Sequence, residues 1–223
     1  MLRGVWETLS ALSNEAHELQ WETLGALSDE VEGKKEEAKG GAGAVAVDGH
    51  LTVDEAHELQ WWVKYPGVER VCEIGFNAGH SAAAILLARE EVSLRSFDLG
   101  QYQHVRRAGE TIGALFPRRF SLVLGDSVTT FAARQEAGTA LITCDMTRID
   151  GGHLGQVPRE DFANARAHAA GPRVVWMDDV GCSNWNCHEP TRVWRDAVQR
   201  GHVQQRSCRV LDASHGFCVG ILT

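Results

Sequence analysis

From Gly67 onward, short apolar runs alternate with stretches that repeat apolar residues at three- and four-residue steps. The run "RVCEIG" precedes a helical stretch from Ser81; "SLRSFDLG" precedes one over Val105 to Leu115, and "FSLVLGDS" one over Val128 to Glu136. Next come "ALITCDMTRIDGG" with a helix over Glu160 to Ala169, and "RVVWMDDV" with one over Thr191 to Arg200. The chain closes on "VQQRSCRVL" and "GFCVGILT" with little between them. Runs with no polar alternation suit strands covered on both faces, and strand–helix alternation builds a parallel sheet; two late adjacent strands make a hairpin at its edge. The pattern predicts an α/β, doubly wound, mostly parallel seven-stranded sheet with an antiparallel C-terminal hairpin.

The first third of the chain behaves differently. "WETLSALSNE" at 6–15 recurs as "WETLGALSDE" at 21–30, and "EAHELQW" at 15–21 recurs unchanged at 55–61. Trp6, Leu9, Leu12, Ala16 and Leu19 fall on one helical face. Such a face packs on its own domain or on a second subunit, or serves as a substrate lid. "EGKKEEAKGGAGAVAVDG" reads as a linker. "TVDE" at Thr52 to Glu55 has the form of a capping box opening a helix through Trp61 and Trp62. The expected organisation is a helical extension and linker over 1–50 and a folded domain over 51–223.

Composition narrows the function classes. The 223 residues suffice for one sizeable core. The formal charge of −8 is concentrated at the front, where residues 1–62 carry 13 acids and 4 bases. The rest is near neutral and lacks the basic surface that a phosphate backbone requires, so nucleic acid is not an expected partner. No apolar run approaches the roughly 20 residues of a membrane span, and the N-terminus lacks the order of a secretory signal. Six scattered cysteines, with Cys72 and Cys144 inside apolar runs, suit reduced buried thiols better than a disulfide framework. A cytoplasmic location is the corresponding expectation.

In doubly wound sheets ligands bind beyond the carboxyl ends of the strands. Polar residues stand at those ends in five consecutive units: Gly75 to Ser81, Asp98, Asp126 with Ser127, Asp150, and Asp178 with Asp179. One such carboxylate is ordinarily a helix cap; five in succession suggest a shared crevice. The loop after the first strand, "EIGFNAG", lets the backbone approach a ligand at Gly75 and Gly79, and the helix that follows offers free N–H groups to an anion. A dinucleotide site wants G-x-G-x-x-G, and Phe76 and Asn77 break that pattern. A smaller carboxylate-bearing ligand fits the loop better.

The ordered set "VCEIGFNAGHSA", "FDLG", "LVLGDS", "IDGGH" and "VVWMDDV" resembles the successive motifs of class I S-adenosylmethionine-dependent methyltransferases. Within them it is most similar to small-molecule O-methyltransferases of the catechol and macrocin (TylF-like) types. The resemblance implies that Glu73, Gly75, Phe76, Asn77, Gly79 and Ser81 surround the methionine portion of S-adenosylmethionine. It also implies that Asp98 takes the ribose hydroxyls, that Asp126 and Ser127 flank the adenine, and that Asp150 borders the same site. It further implies a Mg²⁺ ion held by Asp150, Asp178 and Asp179. Mg²⁺ takes oxygen ligands and keeps waters, and a coordinated hydroxyl loses its proton more easily.

The expected reaction is methyl transfer to a hydroxyl of a small-molecule acceptor, with Asp150 and His153 as catalytic candidates. His153 stands where catechol-type relatives carry a lysine base; it serves as base, orients Asp150, or caps the next helix. A metal-independent N- or C-methyltransferase is the enzymatic alternative. A non-catalytic binding module, partnered through the N-terminal repeats, is the other, and those helices are also the candidate surface for a homo-oligomer. "CSNWNCH" at 182–188 has thiols and an imidazole but no second cluster in the sequence, so zinc is not expected there. The segment reads as an acceptor-facing loop with Trp185 and Asn186 as contacts, or as one in which Trp185 packs on the core.

Overall fold

A computed structural model describes residues 51–131 and 143–223, which belong to a unit beginning at Leu51. The expected N-terminal helices and linker, and the end of the helix expected through Glu136, lie outside the described residues. The first helix, α1 (Val53–Val63), opens on the anticipated capping box: Thr52 Oγ1 accepts from the Glu55 backbone N–H, and Glu55 accepts from that of Thr52 at 2.8 Å. It turns Ala56, Leu59, Trp62 and Val63 inward.

Next along the chain are β1 (Arg70–Ile74), α2 (His80–Ala88), β2 (Ser93–Asp98), α3 (Gln103–Leu115), β3 (Phe120–Leu124) and the short α4 (Ser127–Thr130). The second half comprises β4 (Cys144–Ile149), α5 (Val157–Ala167), β5 (Ala169–Asp178), a 3₁₀ turn (Trp185–Cys187), α6 (His188–Gln199), β6 (Val203–Val210) and β7 (Gly216–Leu222). The helices expected from Glu160 and Thr191 begin three residues earlier, at Val157 with Pro158 in its first turn, and at His188.

The sheet order is β3-β2-β1-β4-β5-β7-β6. Strands β1 to β5 pair in parallel, whereas β7 runs antiparallel to both β5 and β6. Right-handed crossovers therefore lay α2 and α3 over one face and α5 over the other, and the winding reverses between β1 and β4. In doubly wound sheets a crevice for ligands lies at such a reversal, beyond the strand ends. All six residues of β4 are buried, as a central parallel strand requires, and Cys144 and Ile149 join Cys72, Ile74, Phe97, Val175 and Met177 in one core cluster. At the far end of the sheet Asp145 accepts from the Glu69 and Arg70 backbone N–H groups and from the Arg70 guanidinium, fixing the β1–β4 register.

All six cysteines are paired, which corrects the expectation of reduced thiols. Cys72 and Cys144 are 72 residues apart but sit on the neighbouring strands β1 and β4, with Cα atoms 5.7 Å apart. Cys208 and Cys218 face each other across the β6–β7 hairpin, and Cys182 joins Cys187 within the loop after β5. The burial read from the apolar context is correct for Cys72 and Cys144, at 2% and 1% exposure, but burial alone does not separate a thiol from a disulfide. The argument from thiols to a cytoplasmic location falls with it. Among the described residues no helix is long and apolar enough to cross a membrane.

Candidate active site

Four strand ends meet at the β1/β4 reversal, and the meeting dictates several residue types. Gly75 has φ +93°, and a Cβ there would lie 1.9 Å from the Asp150 carbonyl oxygen. The Asp150 N–H in turn donates to Ile74 O at 2.7 Å. Glycine is thus required by the close passage of the β1 end past the β4 end. Asp98, at the end of β2, takes the backbone N–H groups of Phe76 and Asn77 on Oδ2 at 3.0 and 2.9 Å, and that of Gly100 on Oδ1 at 2.8 Å. It thereby shapes the loop it faces, and a carboxylate with three bonds keeps lone-pair capacity for one more donor. Asn77, at φ +48°, holds its Oδ1 2.6 Å from His104 Nε2 of α3.

Glu73 is fully buried and turned into the sheet face. It accepts from Ser81 Oγ at 2.5 Å and Ser96 Oγ at 2.6 Å, and Arg148 Nη1 lies 3.6 Å away. Burial raises its pKa, against the opposing pull of Arg148 and the two hydroxyls. Phe76 is buried beside Phe120, and its ring fills the space a Cβ on Gly79 would need. On the β3 side, Asp126 caps α4 by accepting the Val128 N–H at 3.0 Å, while Ser127 Oγ donates to Asp161 Oδ1 of α5 at 2.7 Å. Asp161 is fully buried and packs against Gly151, next to Asp150, so the β3 and β4 ends share one wall.

The acidic residues after β4 and β5 divide into two groups. Arg148, near the carboxyl end of β4, pairs through Nη2 with Asp150 at 2.9 Å and with Asp178. Burial opposes the Arg148 charge, but Asp178, Asp150 and Glu73 together raise its pKa further. Burial raises that of Asp178, whereas Asp150 is lowered because Arg148 and His153 outweigh the effect of its burial. Asp179 takes a left-handed turn, φ +55°, which sends its carboxylate away from Asp178 and toward His153, at 2.8 Å from Nε2. His153 Nε2 also lies 3.8 Å from Asp150 Oδ1. Burial works to lower the His153 pKa, but the two carboxylates prevail and push it up to about 10, so the ring carries a proton at neutral pH.

Ligand atoms of Asp150, His153 and Asp179 all lie within 4.8 Å of one another. Asp178, expected beside them, faces Arg148 instead. Arg148 is not among the residues expected from the sequence; the available signal was a guanidinium in a strand flanked by apolar runs, which when buried needs anionic partners. In the loop after β5, Asn186 Nδ2 donates to Asp179 Oδ1 at 3.2 Å, and Trp185 is 61% exposed rather than packed on the core. A groove of about 790 Å³ between α1 and β6, lined by Trp61, Trp62 and Arg209 among others, includes none of these site residues.

Residues 72–180 match the model of a family described as "Methyltransferase domain". Over that span the chain is similar to methyltransferase domains. The fold around it is that of class I S-adenosylmethionine-dependent methyltransferases. The O-methyltransferase TomG from Streptomyces achromogenes, involved in tomaymycin synthesis and solved with SAM, superposes with a TM-score of 0.63 at 16% identity, covering 78% of this chain and 82% of that one. An O-methyltransferase from Bacillus cereus in complex with SAH gives 0.67 at 15% identity, over 89% and 91%. Cofactor-bound Rv0187 from MTB gives 0.69 at 14% identity, over 91% and 89%. A search of curated protein sequences finds no match. Within residues 72–180 the β1–α2 loop is bonded to the β2 acid Asp98, and the end of β4 at Asp150 passes directly behind Gly75.

Proposed function

We propose that this chain transfers the methyl group of S-adenosylmethionine to a hydroxyl of a small-molecule acceptor, with a divalent cation held by Asp150, His153 and Asp179. The observation that carries the reading is the convergence of Gly75, Asp98, Asp150 and Asp179 from four strand ends at one topological reversal. The methionine portion of the donor would lie along the Gly75–Ser81 loop, with the ribose toward Asp98 and the adenine toward Asp126 and Ser127. A methyl sulfonium is already activated, so the protein must align donor and acceptor and favour the deprotonated acceptor oxygen.

The residues present fit a divalent cation. Two carboxylates and an imidazole whose ligand atoms lie within 4.8 Å of one another suit Mg²⁺ through the oxygens, and suit Mn²⁺ through all three donors. Bound there, the cation would supply charge that lowers the pKa of an acceptor hydroxyl. Arg148 holds Asp150 from behind and fixes the direction of its free oxygen, and Asn186 does the same for Asp179. His153, once its proton is displaced, presents a neutral nitrogen on the same side.

A second reading has its own support. Arg148 and the protonated His153 already place two positive charges against Asp150, Asp178 and Asp179, so much of the cluster's charge is offset internally. In a metal-independent enzyme these carboxylates would bind the acceptor directly. Methyl transfer to a panel of phenols, polyols and amines, followed by mass spectrometry with and without chelator, separates the two. Transfer to hydroxyls abolished by chelator and restored by Mg²⁺ or Mn²⁺ supports the first; chelator-insensitive transfer supports the second.

A further inference from the structure

The segment "CSNWNCH" lacks a second ligand cluster in sequence, but the fold supplies one in space. Asp179, Cys182 and Cys187 place a carboxylate oxygen and two sulfurs within 4.8 Å of one another. His153 Nε2 is 2.8 Å from the same Asp179 carboxylate. Cys182 and Cys187 have the C-x₄-C spacing found in zinc sites, and tetrahedral zinc with Zn–S bonds of about 2.3 Å needs its sulfurs about 3.7 Å apart. Opening the disulfide would let the sulfurs separate to that distance while the cluster stays within its present span.

The loop does not depend on the disulfide for its position. Ser183 and Asn184 donate their backbone N–H groups to Ala213 O at 3.0 and 2.8 Å, and the Gly181 N–H donates to Thr191 Oγ1 at 2.7 Å. Asn186 ties the turn to Asp179, and the Cys187 N–H closes it on Asn184 O. A five-residue separation also constrains the unfolded chain far less than the 72 residues spanned by Cys72–Cys144, so this is the pair whose opening disturbs the fold least.

We infer that Asp179, Cys182 and Cys187 form a redox-gated site for a thiophilic divalent ion such as Zn²⁺, closed while the disulfide is intact and opened by a dithiol reductant. The reductant gives two electrons and two protons to the Cys182–Cys187 bond and leaves as its own disulfide. The ion then displaces the two thiol protons, binds both thiolates and Asp179, and leaves a fourth position for a water molecule. The inference uses only this loop and Asp179, and stands whether or not the methyl-transfer reading holds.

The test uses the full chain, untreated or reduced with a phosphine under anaerobic conditions, titrated with Co²⁺ as a spectroscopic substitute and then with Zn²⁺. Thiolate-to-cobalt charge-transfer absorption should appear only after reduction, and Zn²⁺ should displace the cobalt. The band should be lost in the Cys182→Ser/Cys187→Ser double variant, weakened in Asp179→Asn, and kept in Cys208→Ser/Cys218→Ser. Zinc X-ray absorption on the reduced wild-type chain gives an independent readout should a variant fail to fold, with two sulfur and two lighter scatterers expected. Absence of the band after reduction, its persistence in the double variant, or a zinc shell with no sulfur would overturn the inference.

Discussion

Arg148 pairs with Asp178 inside the sheet, with 6% and 8% of the two side chains exposed. This contact removes the first aspartate of "DD" from the cluster that faces the crevice and leaves the second, Asp179, to meet His153. A buried guanidinium that also reaches Glu73 and Asp150 organises the whole acidic group.

Removing it should therefore cost far more than a surface charge. Arg148→Met leaves Glu73 and Asp178 buried without their shared cation, and loss of one partner of a buried pair costs about 3–5 kcal/mol. Chemical denaturation should show that loss. Asp179→Ala takes away one of the two carboxylates that hold His153 and should therefore lower the unfolding midpoint less than Arg148→Met does, while abolishing cation binding.

Gly75→Ala tests the crossing of β1 over β4. The substituent would meet the Asp150 carbonyl at 1.9 Å and force a side chain into φ +93°. Backbone strain of that kind costs at least about 1–3 kcal/mol. Thermal unfolding should fall accordingly, and calorimetry should show loss of S-adenosylhomocysteine binding, because the loop and Asp150 move together.

His153 should make both stability and cation binding depend on pH. Its pKa rises from 6.5 unfolded to about 10 folded, so the stabilisation from its proton is complete below about 6.5 and is lost as pH rises through about 10. His153→Gln should remove that slope from the unfolding free energy. Because the proton competes with the ion, Mn²⁺ titrated into the wild type should release protons and bind more tightly with rising pH, whereas the variant should show a shallower dependence.

Asp161 gives a slope at lower pH. Burial pushes its carboxyl up to about 6, beyond what the Ser127 hydroxyl can offset, with the Asp126 and Glu160 charges adding to the rise. The fold prefers its protonated form, so its contribution to stability declines as pH rises from about 3.8 to about 6, opposite to an ordinary ion-paired aspartate. Asp161→Asn should flatten the pH–stability curve across that window, as urea unfolding at a series of pH values would show.

The alternation of apolar runs and helical stretches predicts the strands correctly, because strand type and order along the chain are local properties. The partners of the site residues are not local. Which aspartate of Asp178–Asp179 turns inward depends on a left-handed residue after β5 and on Arg148 in the neighbouring strand, and neither is visible in the run "VVWMDDV". The cysteines illustrate the same limit: Cys72 meets Cys144 only because β1 and β4 become neighbours where the winding reverses. Gly75, by contrast, stands out in sequence as a loop glycine, and the structure adds the reason, a backbone oxygen where its side chain would be.

The most direct test of the central claim is calorimetric titration of the full chain with S-adenosylhomocysteine. The account predicts saturable binding of one ligand per chain, lost on Gly75→Ala and weakened on Asp98→Ala. No heat of binding and no thermal stabilisation by the ligand would contradict it.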